Sequence, residues 1–158
     1  MWTNSSNGRN IDLYMIYEDF VEIVKKTKKR KPILFELESD KKFSMNEIAI
    51  FERENHIFLT EEYKKIISVF GGGYFGFFNI YSLDSESDFY ILNNQRAVPE
   101  NYIAIADNGC GDYYVIRVEN GYCQKKIFFY EHETQQIENT EFMDIFEFLV
   151  AVGLKYNE

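Results

Sequence analysis

Between residues 11 and 31, apolar side chains recur at steps of three and four: Ile11, Tyr14, Tyr17, Phe20, Val21 and Val24. That spacing draws one stripe along a cylinder and predicts a helix over 11–31. The run KKTKKRK (25–31) closes it, and Pro32 discourages continuation. Cations in a last turn suit the negative end of the helix dipole. The run reads either as a solvated helix end or as a patch for nucleic acid or an acidic partner.

Further on, SMNE (44–47) has the form of a capping box, in which Ser44 accepts from the Glu47 amide and Glu47 reaches back. Ile48 and Phe51 mark the buried side of a short helix running to about Glu54. Thr60 is placed to cap the next helix, with Glu61 and Glu62 in its first turn. Its stripe is Tyr63, Ile66, Ile67 and Phe70.

Beyond the glycines that follow, the pattern changes. YFGFFNIYSL, DFYILN, YIAIA, DYYVIRV and KKIFFYE are short, rich in aromatic and β-branched residues, and separated by turn residues, so each is expected to be a strand. Asn120-Gly121, between two apolar runs, predicts a hairpin. Phe142, Ile145, Phe146, Leu149 and Val150 then form a closing helical stripe that Thr140 can cap. This order predicts a single-domain α+β fold: an antiparallel, mostly meander sheet, with helices packed on one face, N-terminal helices and a closing C-terminal helix.

Residues 71–76, GGGYFG, contain the letters G-x-G-x-x-G. A dinucleotide-binding turn needs a strand before the glycines and a helix after them, so that the helix N-terminus meets the phosphates. Here a helix precedes them and presents its C-terminus, whose partial charge repels phosphate. The glycines are expected to end the helix and reverse the chain, with Gly76 marking a bulge or tight bend. No cofactor is expected.

Composition sharpens this picture. The chain has 158 residues, of which 46% are hydrophobic and 18% aromatic. That length suits one core, and the aromatic excess predicts one filled by large rings. Two cysteines and two histidines lie far apart in sequence and assemble no zinc set. No run approaches a membrane span and the start has no apolar leader, so a reduced, cytoplasmic protein is the plain expectation. Net charge is −9, unevenly spread. Residues 1–31 carry seven Lys/Arg against four acids, and residues 32–158 carry ten against twenty-two. An acidic body repels nucleic acid and attracts basic proteins.

Candidate chemistry is sparse. A nucleophile system could draw His56 or His132 together with Ser68 or Cys110, but nothing in the spacing joins them. Glu131 and Glu133 flank His132, yet along a strand they face away from it, so no metal site is expected there. DNGCGD (107–112) has a calcium-loop composition without the alternating ligands or the distal Glu, and reads instead as a turn.

With these residues in view, a family resemblance emerges. IAIFERENHIFLTEEYKKIISVFGGGYFG resembles the signature of the SUKH superfamily, which also includes fungal cell-wall assembly (glucan synthesis) regulators. Ile48, Phe51, Glu52, Leu59, Tyr63, Lys64, Gly72 and Gly73 fall on matching positions. A second block, VPENYIAIADNGCGDYYVI, matches at Pro99, Tyr102, Ile105, Ala106, Gly109, Gly111 and Asp112. Thr60 stands where Pro is usual, and Phe70-Gly71 replaces an Asn before the glycine pair. The resemblance divides the chain into an N-terminal extension, 1–43, with a helix packed on the domain, and a SUKH-like domain, 44–158.

What the resemblance implies is a non-enzymatic bacterial immunity protein, an antitoxin that binds and occludes a polymorphic toxin, often a nuclease. Its alternative is a regulatory scaffold binding a host protein or small ligand. An acidic chain suits a cationic toxin, which must hold nucleic acid. The expected contacts are the loop acids Asp84, Glu86, Asp88, Glu100, Asp107 and Asp112, with Tyr81, Phe89, Tyr90 and Tyr102 as aromatic anchors. No direct nucleic-acid contact and no membrane are expected, and the protein is read as a monomer or weak homodimer.

Overall fold

The computed structural model describes residues 15–156. Helix α1 (Tyr17–Arg30) is followed by a 3-10 turn (Pro32–Phe35), α2 (Met45–Asn55) and α3 (Glu61–Lys65), which widens into a π turn over Ile66–Phe70. A two-stranded hairpin, β1 (Gly73–Phe75) and β2 (Phe78–Ile80), leads into a loop and a second 3-10 segment, Ile91–Ala97. Then come β3 (Tyr102–Asp107), β4 (Tyr113–Glu119), β5 (Tyr122–Cys123), β6 (Phe128–Glu131) and β7 (Gln136–Asn139). The last helix, α4 (Ile145–Phe148), also ends in a π turn, Leu149–Gly153. The expected α+β class holds, with antiparallel sheets of five and two strands. Ile11 and Tyr14 of the first stripe lie outside the described residues.

The larger sheet runs β3-β4-β6-β7, with β5 folded back on the end of β4. Asn120 and Gly121 make that fold-back with φ of 51° and 85°, the doubly left-handed turn that matches strand twist. The smaller sheet lies beside β3: the Tyr81 amide donates to Ile105 O at 2.7 Å, and the Asn79 side chain bonds both backbone groups of Asp107.

Three expectations change. DFYILN is no strand: Tyr90 makes one bridge to Ser82, and Ile91 opens the 3-10 segment. YFGFFNIYSL is two strands rather than one, parted at the tight bend expected at Gly76, which has φ +61° at the first turn position and lies where a Cβ would stand 2.3 Å from Gly153 O. Thr140 does not cap α4. Its hydroxyl donates to Ile127 O, and Asp144 takes the cap, accepting from the Glu147 amide at 2.9 Å. Strand β7, rich in polar residues, carried no apolar alternation to reveal it.

The glycines after α3 act as the helix polarity required. Gly71, at φ +98°, ends the π turn, and its amide donates to Ile66 O. A Cβ there would lie 2.1 Å from Asp40 O, so the 39–40 segment packs directly on bare backbone. The capping box is also present, with Ser44 Oγ accepting from the Glu47 amide at 3.1 Å and Glu47 Oε1 from the Ser44 amide at 2.9 Å.

Large rings fill the core. Phe20 of α1 stacks on Phe146 at 4.7 Å and meets Phe75 and Phe70 at 5.9 and 5.8 Å. Tyr63 is buried and donates its hydroxyl to Tyr81 O at 2.8 Å.

Candidate functional site

The expected contact residues divide by their place along β3. Asn79 beside Asp107 and Tyr81 beside Ile105 set an antiparallel register, which carries the chain from β2 toward the Tyr102 end before the 84–90 loop begins. Five residue steps along β3 span about 17 Å. Glu100 and Tyr102 therefore stand toward one end of β3 and Asp107 with Asp112 at the other, while the loop carrying Asp84, Glu86 and Asp88 returns to β2, where the Ser82 amide donates to Phe89 O and Tyr90 bridges Ser82.

At the Asp107 end the carboxylates are occupied. Asp107 Oδ2 accepts from the Tyr81 hydroxyl at 2.7 Å and Oδ1 from the Gly109 amide at 2.9 Å. Asn94 links that tyrosine to Tyr113. Asp112 Oδ2 accepts from Asn108, while Oδ1 takes both the His132 amide, at 3.0 Å, and His132 Nδ1, at 2.7 Å. The His132 partner, from 20 residues away, holds the Asp112 carboxyl below its usual range, and Asp112 in turn raises the imidazole above 6.5. DNGCGD is thus a turn braced by side chains, as expected, and His132 is its strut. Tyr81 is corrected: it is 1% exposed and anchors the core, not a partner.

The remaining expected contacts are more open. Asp84 accepts from the Glu86 amide at 3.0 Å and shapes the loop, leaving Glu86 and Asp88 exposed without an ion pair among the described residues. Glu100 is likewise exposed. Phe89 meets Tyr74 edge-on at 5.0 Å, and Tyr102 meets Phe128 at 6.1 Å. Tyr90 lines a cleft of about 340 Å³ between this loop and α2. Phe43, Ile50, Phe51 and Leu83 give that cleft an apolar lining, and Glu47 and Glu54 supply its carboxylates. Lys41 lies over the Phe43 ring at 5.1 Å.

Sequence reasoning missed Glu47, Ile50 and Glu54. Their spacing of three and four residues sets them on one face of α2, and an exposed Ile between two acids was the available signal.

Cys123 is half-buried, and desolvation, with Glu52 nearby, pushes its thiol up to about 12 and keeps it protonated. Cys110 is exposed and, among the described residues, makes no hydrogen bond to His132. Among the described residues no three His, Cys, Asp or Glu side chains gather as a metal site, and no helix is long and apolar enough to cross a membrane.

The residues that carried the resemblance hold the fold together. Glu52 accepts from the Leu59 amide at 2.8 Å and faces Lys64 at 3.6 Å, joining α2 to α3. No curated protein matches the chain significantly. A family model, SUKH_6, described as SMI1-KNR4 cell-wall, matches residues 45–149, from the first turn of α2 into the π turn after α4. The chain belongs to the SMI1-KNR4 (SUKH) family.

Proposed function

We propose that this protein is an immunity protein that binds a cationic toxin of the nuclease class and blocks it by occlusion, without catalysis. The observation that carries the reading is the cleft between α2 and the 84–90 loop. Apolar Ile50, Leu83 and Tyr90 line it, Glu47 and Glu54 add charge, and Glu86 and Asp88 stand exposed in the adjoining loop. An apolar centre with a charged rim is the anatomy of a tight interface: the centre supplies affinity, and the rim supplies encounter rate and sign selection. A nuclease holds its substrate with cations, so a carboxylate-rimmed surface competes for the same groups.

The test is co-expression with a toxin encoded beside the protein, comparing the unaltered chain with Glu54→Lys/Glu86→Lys/Asp88→Lys. These exposed positions leave the core and the capping box intact. Growth is expected to be rescued by the unaltered chain, with affinity falling about tenfold or more in the triple variant. Full killing in the presence of the unaltered chain would sink the immunity reading and favour the regulatory scaffold. Equal affinity of the triple variant would move the contact away from this cleft.

A further inference from the structure

On the face built by α1, the following 3-10 turn and the β1–β2 hairpin, the sign of the charge reverses. Residues 25–42 hold eight Lys/Arg against three acids, in a chain whose net charge is −9. Of those acids, Asp40 is committed internally, accepting from the Ser82 hydroxyl. None of the cations at 25–31 has a carboxylate partner among the described residues. Three of the six lie over rings: Lys28 over Phe35 at 5.1 Å, Arg30 over Tyr156 at 5.5 Å, and Lys31 over Phe77 at 5.8 Å, where Lys155 also sits at 5.1 Å. A ring face orients an ammonium weakly and leaves its charge unneutralised.

These cations flank a groove. One cleft of about 400 Å³ has Leu34, Leu37, Val69 and Tyr74 in its lining, with Lys28 and Lys42 among them. A second, of about 360 Å³, shares Leu37, Tyr74 and Gly76 with the first and extends it past Phe77. Leu37 is 60% exposed and Phe77 50%, so the apolar surface is open to solvent. We infer that this groove is a second docking surface, and that its occupant is an acidic polypeptide segment carrying an apolar anchor residue. The anchor covers Leu37 and Tyr74, and flanking carboxylates meet Lys28 and Lys42.

Three observations favour a polypeptide over other polyanions. The surface is concave, whereas a bilayer meets protruding groups. Two lysines lie over Phe77, so that ring offers no free platform for a base. Glu38 lies in the groove lining, and the acid-rich remainder of the chain repels any long phosphate polymer that runs beyond the patch. A short segment feels only the local field, within about 8 Å at physiological salt. The inference is independent of the toxin reading, because a cationic partner is repelled here.

The experiment pans a library of random dodecapeptides against the full chain. Enriched peptides are then titrated against Lys28→Glu/Lys42→Glu and, separately, Leu37→Asp, with circular dichroism melting to confirm that each variant folds. The expected result is enrichment of sequences with Asp or Glu around an aromatic or aliphatic residue, binding at least about tenfold weaker to both variants. No enrichment, enrichment of sequences without acids, or binding that both variants retain would overturn it. So would a single-stranded oligonucleotide or phosphatidylserine vesicles binding the full chain while the selected peptides do not, since the groove would then serve nucleic acid or membrane.

Discussion

Asp144 shows how one side chain serves a helix at a cost in charge. Its Oδ1 caps α4, while Oδ2 is buried without a partner, and the residue is 1% exposed. Burial, with Glu147 and Glu62 nearby, pushes its carboxyl from 3.8 to about 6. The folded state therefore holds this proton more tightly than the unfolded chain does. Stability falls as pH rises from the ordinary carboxylate value through about 6, and the loss persists above it. A rise of this size corresponds to about 3 kcal/mol at most. Glu62 Oε1 is also buried and unpartnered, and both residues line the same small void. Asp144→Asn keeps the capping oxygen and offers an amide donor toward Glu62. It is expected to raise the urea midpoint near pH 8 and to leave it unchanged near pH 4; a lower midpoint at both would refute this account. None of it was legible from TEFMD, where Thr140 and Asp144 are equally good caps. Only the bond from Thr140 to Ile127, a tertiary contact, decides between them.

Among elements, the best-read were those whose signal is local. The capping box, the Asn120-Gly121 hairpin and the stripe of α3 follow from neighbouring residues, and all three stand in the structure. The failures were segments decided by distant partners. DFYILN has strand composition, but beyond Tyr90 it turns into a 3-10 segment, where Asn94 reaches Tyr81. The candidate site fared likewise: the loop acids were visible as acids, but the α2 side of the cleft was read only as a helix with a cap. Gly71 offers a sharp test at this scale, since it combines a left-handed φ with the close approach of Asp40. Gly71→Ala is expected to destabilise the protein by about 2 kcal/mol or more, through strain and displacement of the 39–40 segment. Chemical denaturation measures it, and a change below about 0.5 kcal/mol would show that the segment yields without cost.

Taken whole, the molecule carries two neighbouring clefts of opposite charge, Phe43 lining one and Lys42 the other. Carboxylates rim the cleft beside α2, and uncompensated lysines flank the groove beside α1. The net charge conceals this, although the uneven count between residues 1–31 and the remainder already hinted at it. Toxin association through the acidic cleft is expected to weaken as salt rises, chiefly through a slower on-rate, because steering is screened beyond about 8 Å at physiological ionic strength. Stopped-flow measurement across a salt series checks this, and a flat on-rate would remove steering from the mechanism.

The β1–β2 hairpin is complete by Ile80, yet its seat is supplied from both directions along the chain. Ser39 bridges Gly73, and the Phe77 amide donates to Gly153 O at 2.7 Å. As the polypeptide emerges from a ribosome, those strands lack their final support until some seventy further residues have followed. The lysine-flanked groove, whose wall the hairpin forms, is accordingly among the last surfaces to be held in its final shape.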